Sequence, residues 1–116
     1  MEGEALVSME PIAFLGGVDP KTGIIVERKH PLEGKCISGK VLVFPYGKGS
    51  TVGTYILYRM MKMGTAPIAI INEECEPIIA VGAIISNIPC IDKVDIRKIK
   101  IGDRVRIEED KIYINE

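Results

Sequence analysis

The chain has 116 residues, about the length of one domain, and its formal net charge at pH 7 is −1. This charge offers no general attraction for nucleic acid or for an anionic membrane, and no apolar run approaches the roughly 20 residues that span a bilayer. Hydrophobic residues make up 47% of the sequence and aromatic residues only 5%. Because the β-branched residues Ile and Val dominate the apolar set, we expect a sheet-rich domain with few helices.

Short strands and turns are predicted for the first third of the chain. Residues 4–7 predict a strand so close to Met1 that an edge of the sheet is left open, either missing or supplied from elsewhere. The glycine-rich residues 14–23, with the turn sequence D-P-K-T-G, predict a surface loop. Residues 24–27 predict a short strand and residues 31–34 a turn. The acidic start is unlike the basic start of a secretory signal, so we expect a cytoplasmic protein.

The middle of the chain predicts a βαβ unit. Residues 40–44 form a continuous apolar run, which is typical of a strand covered on both faces. Residues 45–49 interrupt it with Pro and Gly, and residues 50–63 then predict a helix that ends before Gly64. Residues 66–71 predict a second buried strand. A strand, a glycine-rich loop, a helix and a strand in this order predict parallel strands joined by a crossover helix.

The remainder of the chain predicts one further helix and three strands. Residues 77–86 predict a short helix, and residues 88–91 return to the sheet. Residues 104–108 alternate charged and apolar side chains, the pattern of a half-buried strand, and residues 111–115 predict its neighbour. No repeat or linker divides the chain. We therefore expect a single α/β domain of the β/β/α kind across residues 1–116.

The cysteines do not form a recognisable ligand motif. Cys36, Cys75 and Cys90 are widely separated, no C-x-x-C pair is present, and the single His30 is not near any of them in sequence. This pattern predicts neither a zinc site nor a disulfide framework. We expect no metal site on this chain, and any iron–sulfur ligands on another one.

Chemistry is predicted at the glycine-rich loop of residues 47–54, G-K-G-S-T-V-G-T. The loop lies between the carboxyl end of a buried strand and the start of a helix, where unpaired backbone N–H groups and the helix dipole favour negative charge. Lys48 adds a cation. We therefore expect a phosphate, a carboxylate or a developing oxyanion to bind here. The candidate substrate-binding residues are Gly47, Lys48, Gly49, Thr51, Gly53 and Thr54.

The spacing of Lys and Gly in this loop does not match either of two common nucleotide-binding motifs. A Walker A loop has its Lys after the second glycine, whereas Lys48 precedes Gly49. A dinucleotide fingerprint G-x-G-x-x-G is one residue too short to fit Gly47, Gly49 and Gly53. From the residues alone, Ser50 acting only as a helix N-cap stays open.

Four separated motifs carry a family resemblance. They are E-G-E-A-L at residues 2–6, F-L-G-G-V-D-P-K-T-G at 14–23, F-P-Y-G-K-G-S-T-V-G-T at 44–54, and V-G-A-I at 81–84. In this order they resemble the aconitase X swivelling-domain family, and within it the small subunits of archaeal phosphomevalonate dehydratases. Family members commonly have Ser where this chain has Thr54, and they usually begin several residues earlier with a further strand.

The resemblance implies a swivelling β/β/α domain that is active only in a heterodimer with a large catalytic subunit. It implies a hydro-lyase that removes water from (R)-5-phosphomevalonate, a small phosphorylated hydroxy acid, to give trans-anhydromevalonate 5-phosphate in the archaeal mevalonate pathway of isoprenoid biosynthesis. A [4Fe–4S] cluster would be held by the large subunit and not by this chain. Ser50 would be the catalytic general base, acting as an alkoxide.

Two other functions stay open. One is a sister aconitase X-type dehydratase for another hydroxy acid, such as a hydroxyproline. Sister enzymes tend to carry a cysteine in the loop after the serine, where this chain has Thr51 and Val52, which favours the phosphomevalonate reaction. The other is a non-catalytic anion-binding domain that binds phosphate esters without a partner.

Two further segments carry expectations. The apolar residues 12–15 are expected to dock on the large subunit. The basic residues 28–30 are expected to form a solvated strand end rather than a phosphate clamp.

Overall fold

The computed structural model describes residues 1–115 of the chain. These residues form a mixed α/β domain with a sheet of six strands, a separate two-stranded hairpin and three helices. In chain order the elements are β1 (Glu2–Val7), α1 (Phe14–Gly17), β2 (Val18–Asp19), β3 (Ile24–Ile25), β4 (Val41–Phe44), α2 (Gly53–Met63), β5 (Ala69–Asn72), α3 (Pro77–Ile85), β6 (Cys90–Ile91), a 3₁₀ turn (Ile96–Lys98), β7 (Arg104–Glu108) and β8 (Lys111–Ile114).

The six-stranded sheet has the order β6-β5-β4-β1-β7-β8. Strands β1, β4, β5 and β6 run parallel to one another, whereas β7 pairs antiparallel with both β1 and β8. In β1, Leu6 pairs with Leu42 on one side and Glu2 with Arg106 on the other. The first strand is therefore central, and within residues 1–115 the edges of the sheet are β6 and β8.

Strand β4 contributes to two separate apolar cores. Leu42 and Phe44 pack on the side of the sheet that carries α2 and α3, whereas Val41 and Val43 pack on the other side with residues of β7. All four are 0% exposed, which explains the continuous apolar sequence of this strand. Because β4 and β5 are parallel and α2 connects them, the predicted βαβ unit is confirmed. Helix α2 ends where predicted, with Gly64 in the left-handed conformation at φ 77°.

The prediction of a surface loop at residues 14–23 is wrong for its first half. Phe14 and Val18 are buried, and Val18 pairs with Ile25 in a short hairpin. Ile12 and Phe14 are each 1% exposed, and the Phe14 ring meets the Phe44 ring edge-on with centroids 6.2 Å apart. Only Leu15 is an exposed large apolar side chain here. The expected docking surface at residues 12–15 is therefore corrected, because Ile12 and Phe14 fill the core of the chain itself and leave only Leu15 exposed.

The basic cluster at residues 28–30 divides into two parts. Arg28 and Lys29 are exposed, as expected, but His30 is buried. Its Nε2 lies 3.0 Å from the carbonyl oxygen of Pro11, and its Nδ1 accepts a hydrogen bond from the Leu32 amide at 3.0 Å. Because Nδ1 accepts, Nε2 is the ring nitrogen that donates to the Pro11 carbonyl, and both nitrogens have a partner. His30 thus joins two segments of the fold, which corrects its assignment to a solvated strand end.

After β5, which begins three residues later than the predicted residue 66, the chain follows the prediction to within two residues. Helix α3 and strands β6, β7 and β8 all form where the sequence patterns place them. The 3₁₀ turn before β7 was not predicted; the Asp95 side chain caps it by accepting a hydrogen bond from the Arg97 amide. Among residues 1–115, no helix has both the length and the apolar character needed to cross a membrane.

Candidate functional site

The glycine-rich loop connects β4 to α2, and its first half is fixed by the chain beneath it. The Ile12 amide donates to the Tyr46 carbonyl at 3.3 Å, and the Lys48 amide donates to the Ile12 carbonyl at 3.0 Å, which makes a parallel bridge between Ile12 and Gly47. A Cβ at Gly47 would lie 2.4 Å from Cγ1 of the buried Ile79. The position therefore has no room for a side chain.

The second half of the loop, residues 48–52, forms an exposed tip. Gly49 has φ 92°, a conformation that side chains disfavour. In the described part of the chain, the amides of Gly49, Ser50 and Thr51 donate to no protein acceptor. Three successive free N–H groups ahead of a helix favour the binding of negative charge.

Ser50 caps the turn that leads into α2. Its Oγ accepts a hydrogen bond from the Val52 amide at 3.1 Å, and its carbonyl accepts one from the Gly53 amide at 2.9 Å. The first turn is thus a tighter i→i+3 turn, and α2 itself begins at Gly53, later than the predicted residue 50. Val52 occupies the N-cap position of α2, and no described side chain caps it, so Ser50 is not the N-cap of the helix; its Oγ holds the turn that precedes the helix. Because the hydroxyl only accepts in this bond, its own proton and a second lone pair stay available to a ligand.

Lys48 is paired in this structure. Its Nζ lies 3.2 Å from Oε2 of Glu27, with side-chain exposures of 43% and 30%. Glu27 was missed in the sequence, because it lies 21 residues from Lys48 and carries no motif. The ion pair links the loop tip to the segment that follows the β2–β3 hairpin.

Some of the remaining predicted site residues lie at the surface of the loop, and the others lie beneath it. Thr51 is exposed at the tip, whereas Thr54 is buried and its Oγ1 donates to the Ile78 carbonyl at 3.1 Å. A Cβ at Gly53 would lie 3.3 Å from Cγ2 of Ile78, so Gly53 permits a close approach of α2 to α3. The structure therefore groups Lys48, Gly49, Ser50 and Thr51 at the surface. It places Gly47, Gly53 and Thr54 beneath them, where direct contact with substrate stays a prediction.

An apolar surface adjoins the loop on α2 and α3. Helix α3 has the sequence P-I-I-A-V-G-A-I-I and exposes Val81 and Ile84, the latter at 77%. On α2, Tyr55 is 67% exposed. Between the two helices lies an open cavity of about 300 Å³ lined by Thr51, Thr54, Tyr55, Pro77, Ile78 and Val81. We call Tyr55, Val81 and Ile84 the α2–α3 apolar face; such patches commonly mark interaction surfaces.

The residues of this chain do not fit an iron–sulfur cluster. A [4Fe–4S] cluster is normally held by several cysteine thiolates. Here only Cys75 and Cys90 are close together, and the exposed Cys36 is engaged elsewhere, its Sγ 3.4 Å from the Thr22 carbonyl. Among residues 1–115, no group of three or more His, Cys, Asp or Glu side chains is arranged to hold a metal ion.

Comparisons with known proteins agree with these features. A family model described as the aconitase X swivel domain matches residues 1–115. The chain is 60% identical to the phosphomevalonate dehydratase small subunit of Methanosarcina acetivorans, over 97% of this chain and 81% of the relative. It is also 60% identical to the protein of that name from Pyrococcus horikoshii, over 92% of this chain and 80% of the relative.

A solved structure has the same fold. The crystal structure of Thermococcus kodakaraensis aconitase X in its holo form superposes with a TM-score of 0.97 at 52% identity, covering 100% of this chain and 90% of that one.

Proposed function

Because the chain belongs to the aconitase X swivel-domain family, we propose that it is the small subunit of a hydro-lyase that dehydrates (R)-5-phosphomevalonate to trans-anhydromevalonate 5-phosphate. Relatives named phosphomevalonate dehydratase small subunit, at 50–60% identity over most of the chain, support this substrate. One structural observation carries the proposal: Ser50 stands at an exposed loop tip with three free backbone amides at the start of α2. We further propose that the enzyme works in the cytoplasm.

In the proposed reaction, Ser50 takes the proton from the carbon next to the substrate carboxylate. A serine hydroxyl is ordinarily far too weak an acid to be present as an alkoxide. The hydrogen bond from the Val52 amide to Oγ and the positive end of α2 both favour negative charge on this oxygen. Loss of one such donor in an oxyanion site lowers a rate by roughly 10²–10³-fold. The proton then resides on Ser50 Oγ, from which the exposed tip allows its return to water.

The free amides and Lys48 supply binding for the anionic substrate. Substrate carboxylate or phosphate oxygens would accept hydrogen bonds from the amides of Gly49 and Thr51. Lys48 Nζ, held at the tip by Glu27, would add a charge-assisted hydrogen bond. The departing hydroxyl needs a Lewis acid, and we propose a [4Fe–4S] cluster on the large subunit for that role, since residues 1–115 of this chain contain no fitting set of ligands.

A large subunit is required because the loop tip is too open to exclude water by itself. The relatives' names, as small subunits, imply such a partner. We propose that it covers the α2–α3 apolar face, which adjoins Thr51 through the cavity between the helices. Docking there would bring the tip of the loop against the partner's own site.

Co-purification with the large subunit encoded in the same genome tests the proposal. We expect neither chain alone to release water from (R)-5-phosphomevalonate, and the reconstituted pair to do so, as followed by mass spectrometry and ³¹P NMR. Turnover of a different hydroxy acid, with none of phosphomevalonate, would support the sister-enzyme alternative. Tight binding of phosphate esters by the chain alone, with an inactive pair, would support the anion-binding domain.

A further inference from the structure

Two cysteines that are distant in sequence meet in the fold. Cys75 lies in the connection between β5 and α3, and Cys90 is in β6, which pairs with β5. They are 15 residues apart, and their Sγ atoms are 3.4 Å from each other. Both are partly buried, and neither belongs to the loop that contains Ser50.

We propose that Cys75 and Cys90 are a modification site, a dithiol that a peroxide oxidises to a disulfide. A disulfide has an S–S length of about 2.05 Å, so the two sulfurs need to approach by little more than one ångström. The connection that carries Cys75 lies at the surface, with Glu73 and Glu74 exposed beside it, and can accommodate this movement. Among the described residues, no other two thiols are in contact, because the Cys36 thiol bonds to the Thr22 carbonyl.

A small oxidant has a route to the pair. Both cysteines line an open cavity of about 340 Å³, together with Ala80, Ala83, Ile84, Ile88 and Asp92. Because Ile84 also belongs to the α2–α3 apolar face, this route is open in the chain before it joins the large subunit, which is the form that the experiments below use. The lining combines apolar side chains with the Asp92 carboxylate, and the cavity is much larger than a peroxide molecule. Beside this carboxylate, an uncharged two-electron oxidant suits the site better than an anionic one.

The position of the two cysteines indicates which one reacts first. Cys75 lies in a surface connection, whereas Cys90 is held in strand β6, so we assign the first step to Cys75. Burial raises the pKa of both thiols. Because the thiolate is the reactive form, we expect the oxidation to be faster at alkaline pH than at neutral pH.

The atoms and electrons balance with hydrogen peroxide as the oxidant. The Cys75 thiolate attacks one peroxide oxygen, the O–O bond breaks, and a sulfenic acid forms at Cys75 with release of the first water. The Cys90 sulfur then attacks the Cys75 sulfur, the S–S bond forms, and the sulfenic oxygen leaves as the second water. Two thiols lose two electrons and two protons in total, and the peroxide is reduced to two waters.

The cross-link would close a loop that contains all of α3. Closing a loop of about this length restricts the unfolded chain, and we expect it to raise the Tm of the chain by on the order of 10 °C. Reduction with dithiothreitol should reverse the shift.

Non-reducing peptide mapping of the full chain tests the proposal directly. The chain is treated with hydrogen peroxide, its remaining thiols are alkylated, a glutamate-specific protease cleaves it after Glu76, between the two cysteines, and the peptides are analysed by mass spectrometry. We expect a peptide pair joined through Cys75 and Cys90 that is lighter by two hydrogens, with Cys36 still alkylated. Peroxide that oxidises Cys36 but leaves Cys75 and Cys90 fully alkylated would overturn the proposal, and so would a link between Cys36 and either of them.

Matched variants give a second readout. Cys75→Ser and Cys90→Ser should each abolish both the cross-link and the rise in Tm, whereas Cys36→Ser should retain both. A rise in Tm that persists in Cys75→Ser would contradict the assignment. If a variant does not fold, the peptide map of the wild-type chain decides. None of these measurements uses substrate or the large subunit, so their outcome is independent of the proposed function.

Discussion

Lys48 Nζ lies 3.2 Å from Glu27 Oε2, although 21 residues separate the two in sequence. Both side chains are partly exposed, and a pair of this kind contributes only about 0–1 kcal/mol to stability. Its importance is positional, because Glu27 fixes the single cation of the loop beside the free amides of the tip.

Removing the charge of Lys48 should affect substrate binding more than folding. We expect Lys48→Met to raise the KM for phosphomevalonate roughly 10–100-fold, because it removes one charge-assisted hydrogen bond that contributes about 1.5–3 kcal/mol to substrate binding. The matched variant Glu27→Gln leaves the cation in place and should change KM by less than about fivefold. Both should shift the unfolding free energy by less than about 1 kcal/mol. Equal effects of the two variants on KM would show that Lys48 acts only through the ion pair.

The two glycines that begin the loop should respond to alanine for different reasons. Gly47→Ala places a Cβ 2.4 Å from Cγ1 of Ile79, which is fully buried and cannot move away, so we expect a loss of about 1–3 kcal/mol. Gly49→Ala meets Ala13 at an unstrained 3.5 Å and should lose only about 1–2 kcal/mol for its φ of 92°. Gly39→Ala is the control, with φ 71° and no neighbour within 4 Å. The control should therefore lose about 1–2 kcal/mol for its backbone conformation alone. Urea unfolding measures all three, and a Gly47→Ala variant that loses less than about 1 kcal/mol would contradict the packing.

Most helices and strands were predictable because the hydrophobic periodicity of a segment and the turn residues beside it depend on local sequence alone. β4 was recognised from a continuous apolar run, and β7 from strict alternation. The burial of Ile12 and Phe14 was not predictable, because it depends on the parallel bridge from Ile12 to Gly47, a contact between distant segments. The glycines that follow Phe14 suggested a surface loop, whereas the aromatic contact with Phe44 decides the position of Phe14.

The candidate site was only partly predictable for the same reason. The loop motif identified Ser50, but the pairing of Lys48 with Glu27 and of Cys75 with Cys90 arises only when distant segments meet in the fold. The bond from Thr54 to the Ile78 carbonyl likewise follows from how α2 and α3 pack.

The α2–α3 apolar face should be needed for assembly and not for folding. Ile84 is 77% exposed, so Ile84→Asp should change the unfolding free energy by less than about 0.5 kcal/mol. A carboxylate buried against an apolar partner should weaken binding to the large subunit at least about tenfold. Ile101→Asp is the matched control, an isoleucine 61% exposed in the turn before β7, and should bind normally. Titration calorimetry with the large subunit compares the two; equal affinities would remove α3 from the interface.

Substitutions of Ser50 distinguish a structural capping role from general-base catalysis. If Ser50 acts only through the hydrogen bond that its Oγ accepts from the Val52 amide, Ser50→Ala should lower stability by about 0.5–2 kcal/mol while the folded complex keeps its turnover. If Ser50 is the base, the same substitution should lower turnover by roughly 10²–10⁴-fold with complex assembly and substrate binding intact. Thermal melts and dehydration rates on the reconstituted complex separate the two effects.

Glycine at this position sharpens the test, because it is a tolerable cap without a hydroxyl. Ser50→Gly should lose only a few tenths of a kcal/mol in stability. If Ser50 is the base, however, this variant should be as inactive as Ser50→Ala. Thr51→Ala is the matched control, since Thr51 is an exposed hydroxyl on the same tip and caps nothing in the described residues. It should keep most of the turnover. A Ser50→Gly complex with more than about a tenth of wild-type turnover would be incompatible with general-base catalysis by Ser50, and a collapse of turnover in Thr51→Ala alone would transfer that role to Thr51.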